Sequence, residues 1–213
     1  WTMAVDIVPA LLVRSKRDLE AGLERLHGVS SWVQVDLVNT NYLESEENFP
    51  LWEEFNFEVD LMLPNQLQVA QSMVQLGAAR IVVHASGGEV HEALAALQVY
   101  RTGDFAVEVG VALRSVDTPE TLKAFAGLYD YVQVMGIAVE GSQGQPPDER
   151  AISLVRALRE ATPGMLIQVD GAVAPRVKEL VEAGASRLVV GSAIVNADNP
   201  KTAHKEIYNR ANG

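Results

Sequence analysis

The chain has 213 residues, 48% of them hydrophobic, and a formal net charge of -11 at pH 7. The acidic balance argues against a nucleic-acid partner, because phosphate contacts need clustered Lys and Arg. No run of about 18 apolar residues predicts a membrane span, no signal-peptide pattern opens the chain, and the lack of Cys excludes disulfides and thiolate ligands. We therefore expect a cytoplasmic protein that acts on a small molecule.

Short apolar runs alternate with amphipathic stretches from Met3, the expected native start, to the end of the chain. The runs predict strands at Val5–Leu12, Trp32–Val38, Phe57–Leu63, Arg80–His84, Ala106–Leu113, Tyr131–Ile137, Leu166–Val169 and Arg187–Val190. The stretches predict helices at Lys16–Leu26, Leu67–Gly77, Glu89–Tyr100, Glu120–Leu128, Glu149–Glu160, Pro175–Glu182 and Pro200–Arg210. Apolar strands that alternate with helices indicate a parallel sheet covered by helices.

This count of βα units favours a single (β/α)8 TIM-barrel domain over residues 3–213. Eight units in about 200 residues is the lower size limit of that fold. A doubly wound open sheet is the alternative, but it usually carries a glycine-rich turn after the first strand, where this chain reads Leu12-Val13-Arg14-Ser15. In a barrel the active site lies at the C-terminal ends of the strands.

Polar residues and one methionine lie near those ends of the predicted strands. They are Gln34, Asp36 and Asn39 on strand two, Asp60 on strand three, His84 on strand four, Gln133 and Met135 on strand six, and Asp170 on strand seven. Any one acid could simply accept a hydrogen bond from a loop amide. Desolvating three carboxylates without a purpose is costly, so we interpret Asp36, Asp60 and Asp170 as a functional cluster.

Small residues follow the last two strands, with Gly171 and Ala172 after strand seven and Gly191 and Ser192 after strand eight. TIM barrels often bind a phosphate at these two loops, on backbone N–H groups and the N-terminus of a short helix. We predict a phosphate site here, although ordinary turns into helices would use the same residues. The long segment Glu140–Glu149 after strand six is a candidate lid.

These residues together resemble the ribulose-phosphate 3-epimerase family, over nearly the whole chain from Ile7 to Ile194. The family's strand-two His-x-Asp-x-Met-Asp-Gly is matched by Gln34-Val35-Asp36-Leu37-Val38-Asn39-Thr40, and its strand-three His-Leu-Met by Asp60-Leu61-Met62. His84 matches the strand-four His. Loop-six Gly-Phe-Gly-Gly-Gln becomes Gly141-Ser142-Gln143-Gly144-Gln145, and strand-seven Asp-Gly-Gly-Val becomes Asp170-Gly171-Ala172-Val173.

The resemblance implies inversion of C3 of ribulose 5-phosphate through an enediolate. Asp36 and Asp170 match the two acids that exchange the proton on opposite faces, while a divalent metal polarises the substrate oxygens. It places the phosphate at Gly171, Ala172, Gly191, Ser192 and Gly144. It lines the substrate with Ala10, Asn39, Met62, His84, Met135 and Gln145.

The departures from the family fall on the metal. Gln34 and Asp60 replace both imidazole ligands, and Ala10 replaces a substrate-contacting Ser, so a His-ligated zinc site is not expected. One outcome is an all-oxygen shell of Gln34, Asp36, Asp60 and Asp170 for Mg²⁺, Mn²⁺ or Ca²⁺. The other is a metal-free site in which at least one carboxyl pKa rises.

Three functions stay open. The first is an epimerase or isomerase of D-ribulose 5-phosphate or a related ketose phosphate. The second is a phosphosugar lyase or decarboxylase of the hexulose-phosphate synthase type, whose Asp-x-Lys-x-x-Asp is here Asp60-Leu61-Met62-Leu63-Pro64-Asn65, without the Lys. The third is a phosphosugar-binding or regulatory barrel that has lost catalysis.

The acidic, aromatic segment Glu44–Phe55 follows strand two. Aromatic residues are enriched at protein interfaces, so the segment is a candidate contact in a homo-oligomer or a cover for the barrel mouth. A short helix packed on its own barrel is the alternative.

Overall fold

The computed structural model describes residues 4–39, 54–141 and 144–213. Eight parallel strands close a barrel in chain order. They are β1 (Asp6–Val13), β2 (Trp32–Leu37), β3 (Asn56–Leu61), β4 (Arg80–His84), β5 (Glu108–Leu113), β6 (Tyr131–Met135), β7 (Leu166–Asp170) and β8 (Arg187–Val190). The α-helices are α1 (Lys16–Leu26), α2 (Gln66–Gln75), α3 (Val90–Leu97), α4 (Glu149–Ala161), α5 (Val177–Ala183), α6 (Ser192–Val195) and α7 (Pro200–Asn212).

The predicted TIM barrel is therefore confirmed, and the observed strands agree with the predicted ones to within about two residues. Three helical predictions need correction. The helix predicted at Glu89–Tyr100 is divided into α3 and a 3-10 turn, Gln98–Tyr100. The segment predicted at Glu120–Leu128 is a 3-10 helix at Pro119–Phe125, in which Leu122 is the buried residue, so little packing stabilises a longer helix. The helix predicted at Pro175–Glu182 is divided into a 3-10 turn, Ala174–Arg176, and α5.

Some predicted features fall outside the described residues. Most of the aromatic segment Glu44–Phe55 does so, as do Thr40, Ser142 and Gln143. Phe55 itself is described: it is buried, and its ring centroid lies 6.1 Å from that of Phe57. Within the three described ranges, no helix has the length and apolar character needed to cross a membrane.

The two faces of each strand have different environments. On β2, Val33, Val35 and Leu37 are fully buried in the main hydrophobic core, which also contains the inner faces of helices such as α1. Because strand side chains alternate with a period of two, Gln34 and Asp36 lie on the opposite face, inside the barrel. The helical layer thus packs on the apolar outer face of the strands, and the barrel interior holds polar side chains together with smaller apolar clusters that include Val8, Ala10 and Val82.

Strand register then places the polar side chains in layers. Asp36 pairs with Asp60 across β2 and β3, and Gln133 pairs with Gln168 across β6 and β7. In a barrel, side chains at equivalent depth on neighbouring strands meet around the axis. Residues that are distant in the sequence therefore converge beneath the mouth of the barrel.

A close backbone approach holds β6 and β7 together beside that mouth. Gly136 donates its N–H to the Asp170 carbonyl oxygen over 2.6 Å. A Cβ atom on Gly136 would lie 2.1 Å from the backbone oxygen of Gly171. The lack of a side chain at Gly136 is what allows the loops after β6 and β7 to meet.

We predict that Gly136→Ala lowers the free energy of unfolding by about 2–3 kcal/mol, because the new methyl group must displace backbone instead of a flexible side chain. Chemical denaturation measures the change. Gly164→Ala is the matched control: a Cβ there meets nothing within 4 Å, so its effect should stay within about 0.5 kcal/mol. Equal stability of the two variants would contradict the prediction.

Candidate active site

A cavity of about 290 Å³ opens at the C-terminal ends of the strands. Eleven residues singled out in the sequence are among those that line it: Ala10, Asp36, Met62, Met135, Gly144, Gln145, Asp170, Gly171, Ala172, Gly191 and Ser192. The other candidates, Gln34, Asn39, Asp60 and His84, are not among its lining residues. The cavity therefore brings the two proposed proton-transfer acids together with the loops after β7 and β8.

Asp36 and Asp170 are joined by one amide. Gln34 Nε2 donates to Asp36 Oδ1 over 2.8 Å and to Asp170 Oδ2 over 3.2 Å. The Gln34 side chain is completely buried, and each of the two acids is 7% exposed. Both carboxyl groups are thus fixed by the same donor, with only a small part of each open to the cavity.

Burial and mutual repulsion perturb this pair. Desolvation raises the pKa of Asp36 well above its ordinary value, and the charges of Asp170 and Asp60 raise it further. Desolvation, followed by the charge of Asp60, raises the pKa of Asp170 to about 7, against a lowering effect of the Gln34 hydrogen bond. Since the two groups interact strongly, their protons belong to the pair. Near neutral pH the pair retains a proton that ordinary aspartates would have lost.

Asp60 has a different environment and holds an ion pair. Its Oδ1 lies 2.5 Å from His84 Nε2, and its Oδ2 accepts from Gln133 Nε2 over 2.7 Å. The other ring nitrogen, His84 Nδ1, lies 3.2 Å from Glu140 Oε1. Burial alone would lower the pKa of His84, but Asp60 and Glu140 outweigh it and raise that pKa to about 10. His84 is therefore an imidazolium held between two carboxylates.

Glu140 was not among the residues predicted for the site. It lies in the loop after β6, where its carboxylate contacts both His84 and Ser86. Burial would raise its pKa, but His84 and Arg114 lower it overall. An acid in a long loop carries no sequence signal of its own, because only the tertiary structure places it beside the imidazole.

The loops after β7 and β8 have a backbone suited to an anion. Gly171 and Ala172 have φ values of 97° and 50°, and Ser192 begins the short helix α6, whose first N–H groups have no partner within the helix. Among the described residues, those that line the cavity include no Arg, Lys or His. An anion bound there would depend on backbone N–H groups and on the Ser192 hydroxyl.

The structure also bears on the predicted metal ligands. Oxygens of Asp36, Asp60 and Asp170 lie within 4.8 Å of one another, close enough to share a cation. The fourth predicted ligand does not fit, since Gln34 turns its N–H group toward the acids while its Oε1 accepts from Gln168 Nε2 over 3.1 Å. Both Asp60 oxygens already have partners. The four-oxygen set as arranged does not suit Mg²⁺, Mn²⁺ or Ca²⁺, and a divalent cation stays a prediction.

Fold and site together define a TIM barrel with a buried acid cluster beneath its mouth. The model of the ribulose-phosphate 3 epimerase family matches residues 6–195. The chain belongs to that family.

Relatives with other chemistry are also similar to this chain. Orotidine 5'-phosphate decarboxylase of Pyrococcus abyssi is 29% identical over 162 residues, which cover 72% of this chain and 70% of the relative. Thiamine-phosphate synthase of Natronomonas pharaonis is 33% identical over 103 residues, 47% of this chain and 48% of that protein. A crystal structure of 3-hexulose-6-phosphate synthase superposes with a TM-score of 0.70 at 19% identity, covering 96% of this chain and 99% of the other. The last likeness shows the fold alone.

We predict that Asp170→Asn stabilises the protein at pH 8. The raised pKa means that the folded wild type must ionise a buried carboxyl above pH 7, whereas the unfolded chain ionises it near 4. The stability contributed by the protonated group is therefore lost as the pH rises from about 4, the pKa in the unfolded chain, to about 7, the pKa in the folded protein. One pKa unit is worth about 1.4 kcal/mol, so we expect a gain of about 2 kcal/mol at pH 8, allowing for relaxation.

Urea denaturation of both proteins at pH 8 and pH 5 tests this expectation. The difference should shrink at pH 5, where the wild-type carboxyl is protonated when folded. Asp104→Asn, an exposed acid away from the site, is the control and should change neither value. A destabilised Asp170→Asn protein at pH 8 would contradict the prediction.

Proposed function

We propose that the protein is an isomerase of a phosphorylated ketose, of the ribulose 5-phosphate type, in which Asp36 and Asp170 transfer a proton at the carbon beside the carbonyl. The observation that supports this most is the pair of buried carboxyl groups, bridged by Gln34 and opening onto a cavity of about 290 Å³. Membership of the ribulose-phosphate 3 epimerase family supports the substrate class.

The electrostatics of the pair suit this reaction. Epimerisation needs an ionised base on one face of the carbon and a protonated acid on the other. The raised pKa values of Asp36 and Asp170 keep one proton on the pair near neutral pH. One carboxylate can then remove the substrate proton while the other carboxyl group returns its own, which inverts the centre.

Ion pairing limits the effect of the remaining acids on this pair. His84 neutralises Asp60, and it also draws in Glu140. Without the imidazolium, a third buried negative charge would raise the pKa of Asp36 and Asp170 further and leave too little base. We therefore assign His84 and Asp60 to charge compensation beneath the cavity.

The size of the cavity and the loops around it suit a small phosphosugar. The phosphate would bind to backbone N–H groups around Gly171, Ala172, Gly191 and Ser192, where TIM barrels often bind phosphate. The sugar would then extend toward Asp36 and Asp170 along a wall that includes Met62 and Met135. The proposed partner is thus a small molecule.

A lyase or decarboxylase is the second candidate, favoured by the sequence similarity to orotidine 5'-phosphate decarboxylase. The sequence at the end of β3 opposes it, since Met62, directly after the strand, stands where lyases of this superfamily carry Lys. All five lysines of this chain, Lys16, Lys123, Lys178, Lys201 and Lys205, lie on helical segments. No ammonium group is thus available from the strands to stabilise or protonate a carbanion.

Proton exchange at carbon tests the proposal directly. Ribulose 5-phosphate is incubated with the protein in D₂O, with chelator and then with Mg²⁺ or Mn²⁺, and loss of the C3 proton signal is followed by NMR. We expect exchange by the wild type and a loss of at least about 100-fold in Asp36→Asn and in Asp170→Asn, the magnitude of general acid–base catalysis. Asp104→Asn is the control and should exchange normally.

The other outcomes separate the candidates. Formaldehyde or carbon dioxide released from a hexulose phosphate or a β-keto acid phosphate, without C3 exchange, would favour the lyase. Binding of ribulose 5-phosphate with no exchange under any condition would favour the phosphosugar-binding barrel and contradict the isomerase.

The pH dependence provides a separate prediction. Activity should fall as the pH rises above about 7, because the pair then loses the proton that the acid must donate. A pair of aspartates with ordinary pKa values would already lose this proton near pH 4. The measurement is kcat/KM between pH 5 and pH 9, and a rate that keeps rising through pH 9 would contradict the proton-sharing pair.

A further inference from the structure

Beneath the acid cluster, three glutamine side chains form a continuous hydrogen-bonded chain. Gln168 Nε2 lies 3.1 Å from Gln34 Oε1 and 2.6 Å from Gln133 Oε1. Gln34 Nε2 in turn donates to Asp36 and Asp170, and Gln133 Nε2 donates to Asp60. All three glutamines are completely buried. Gln168 is therefore connected to all three carboxyl groups of the acid cluster through Gln34 and Gln133.

The lower end of this chain rests on charged side chains. Arg187 Nη1 donates to Gln168 Oε1 over 3.1 Å, and Glu58 Oε1 accepts from Gln168 Nε2 over 2.6 Å. Arg187 is 2% exposed and Glu58 is fully buried. Tyr131 donates its hydroxyl to the other Glu58 oxygen over 2.8 Å. Gln168 thus lies between a buried cation on one side and a buried acceptor on the other.

These charged neighbours determine which way every amide faces. Arginine has five N–H donors and no acceptor, so the group that Gln168 turns toward Arg187 must be its oxygen. Its nitrogen then faces the oxygens of Gln34 and Gln133, which leaves their nitrogens facing the acids. Reversing Gln34 alone would place its oxygen against two carboxyl groups and its nitrogen against that of Gln168.

We propose that Arg187, Glu58 and Gln168 are positioning residues that hold Gln34 and Gln133 as hydrogen-bond donors to the acid cluster, and that this arrangement opposes divalent-cation binding by Asp36, Asp60 and Asp170. The N–H groups of Gln34 take the place of a cation between Asp36 and Asp170. The role of these residues in positioning the acids for proton transfer rests on the proposed function. Their effect on cation binding does not depend on it.

Mn²⁺ binding tests the proposal independently of turnover. Free Mn²⁺ is titrated by electron paramagnetic resonance into the wild type, Gln34→Glu and Gln168→Leu. Gln34→Glu replaces the donor with an oxygen ligand, and Gln168→Leu releases the Gln34 and Gln133 oxygens from their donor. Each should bind Mn²⁺ at least ten times more tightly than the wild type.

Gln98→Leu is the matched control. Gln98 also uses its amide nitrogen in two hydrogen bonds, to the Leu94 and Leu128 carbonyl oxygens, but it lies away from the acids. Its variant should bind Mn²⁺ like the wild type. Circular dichroism confirms that each variant is folded, and Gln168→Leu keeps the test valid if the added charge of Gln34→Glu prevents folding.

Either of two results would overturn the proposal: wild-type Mn²⁺ affinity equal to that of folded Gln34→Glu, or no gain in folded Gln168→Leu. If the wild type exchanges the C3 proton, Gln168→Leu should also lower kcat at least tenfold. KM should change little, because the substitution disturbs the positions of Asp36 and Asp170 and leaves the phosphate-binding loops intact. Absence of exchange in the wild type would count against the proposed function and leave the Mn²⁺ comparison unaffected.

Discussion

The burial of three aspartates within 4.8 Å of one another inside a closed barrel is the constraint on which the rest of the site depends. Three carboxylates in a low-dielectric interior cannot all remain charged without compensation. The chain compensates in two ways: His84 forms an ion pair with Asp60, and Asp36 and Asp170 retain a proton between them. The acids therefore have different roles although they lie at similar depth.

The same constraint explains why the barrel interior contains buried polar side chains well below the cavity. A carboxyl group in a dry core needs donors that are themselves held in place, since a partly satisfied network is worse than an apolar one. The glutamines supply these donors, and Arg187 and Glu58 fix their orientation. Apolar packing is instead provided between the strands and the helices, where Val33, Val35 and Leu37 are fully buried. Because the two faces of a strand lie in different environments, one strand can contribute apolar side chains to the strand–helix core and polar side chains to the barrel interior.

For function, this means that family membership alone does not describe the chemistry. The chain belongs to the ribulose-phosphate 3 epimerase family, yet amide N–H groups lie between Asp36 and Asp170, and an imidazolium neutralises Asp60. The proposed proton transfer relies on a carboxyl pair that keeps one proton.

Strand and helix periodicity in the sequence was enough to predict the TIM barrel, and the resemblance of the strand ends pointed to Asp36, Asp170 and the small residues after β7 and β8. The repeated pattern of VQVD, VQVM and IQVD at positions 33–36, 132–135 and 167–170 is a signal that could also have revealed Gln168. Only the tertiary structure decided which way the amides face, that Glu140 meets His84, and that Gln34 is a donor to the acids. These features depend on strand register and on charges brought together from distant strands, and neither is encoded in a local stretch of sequence.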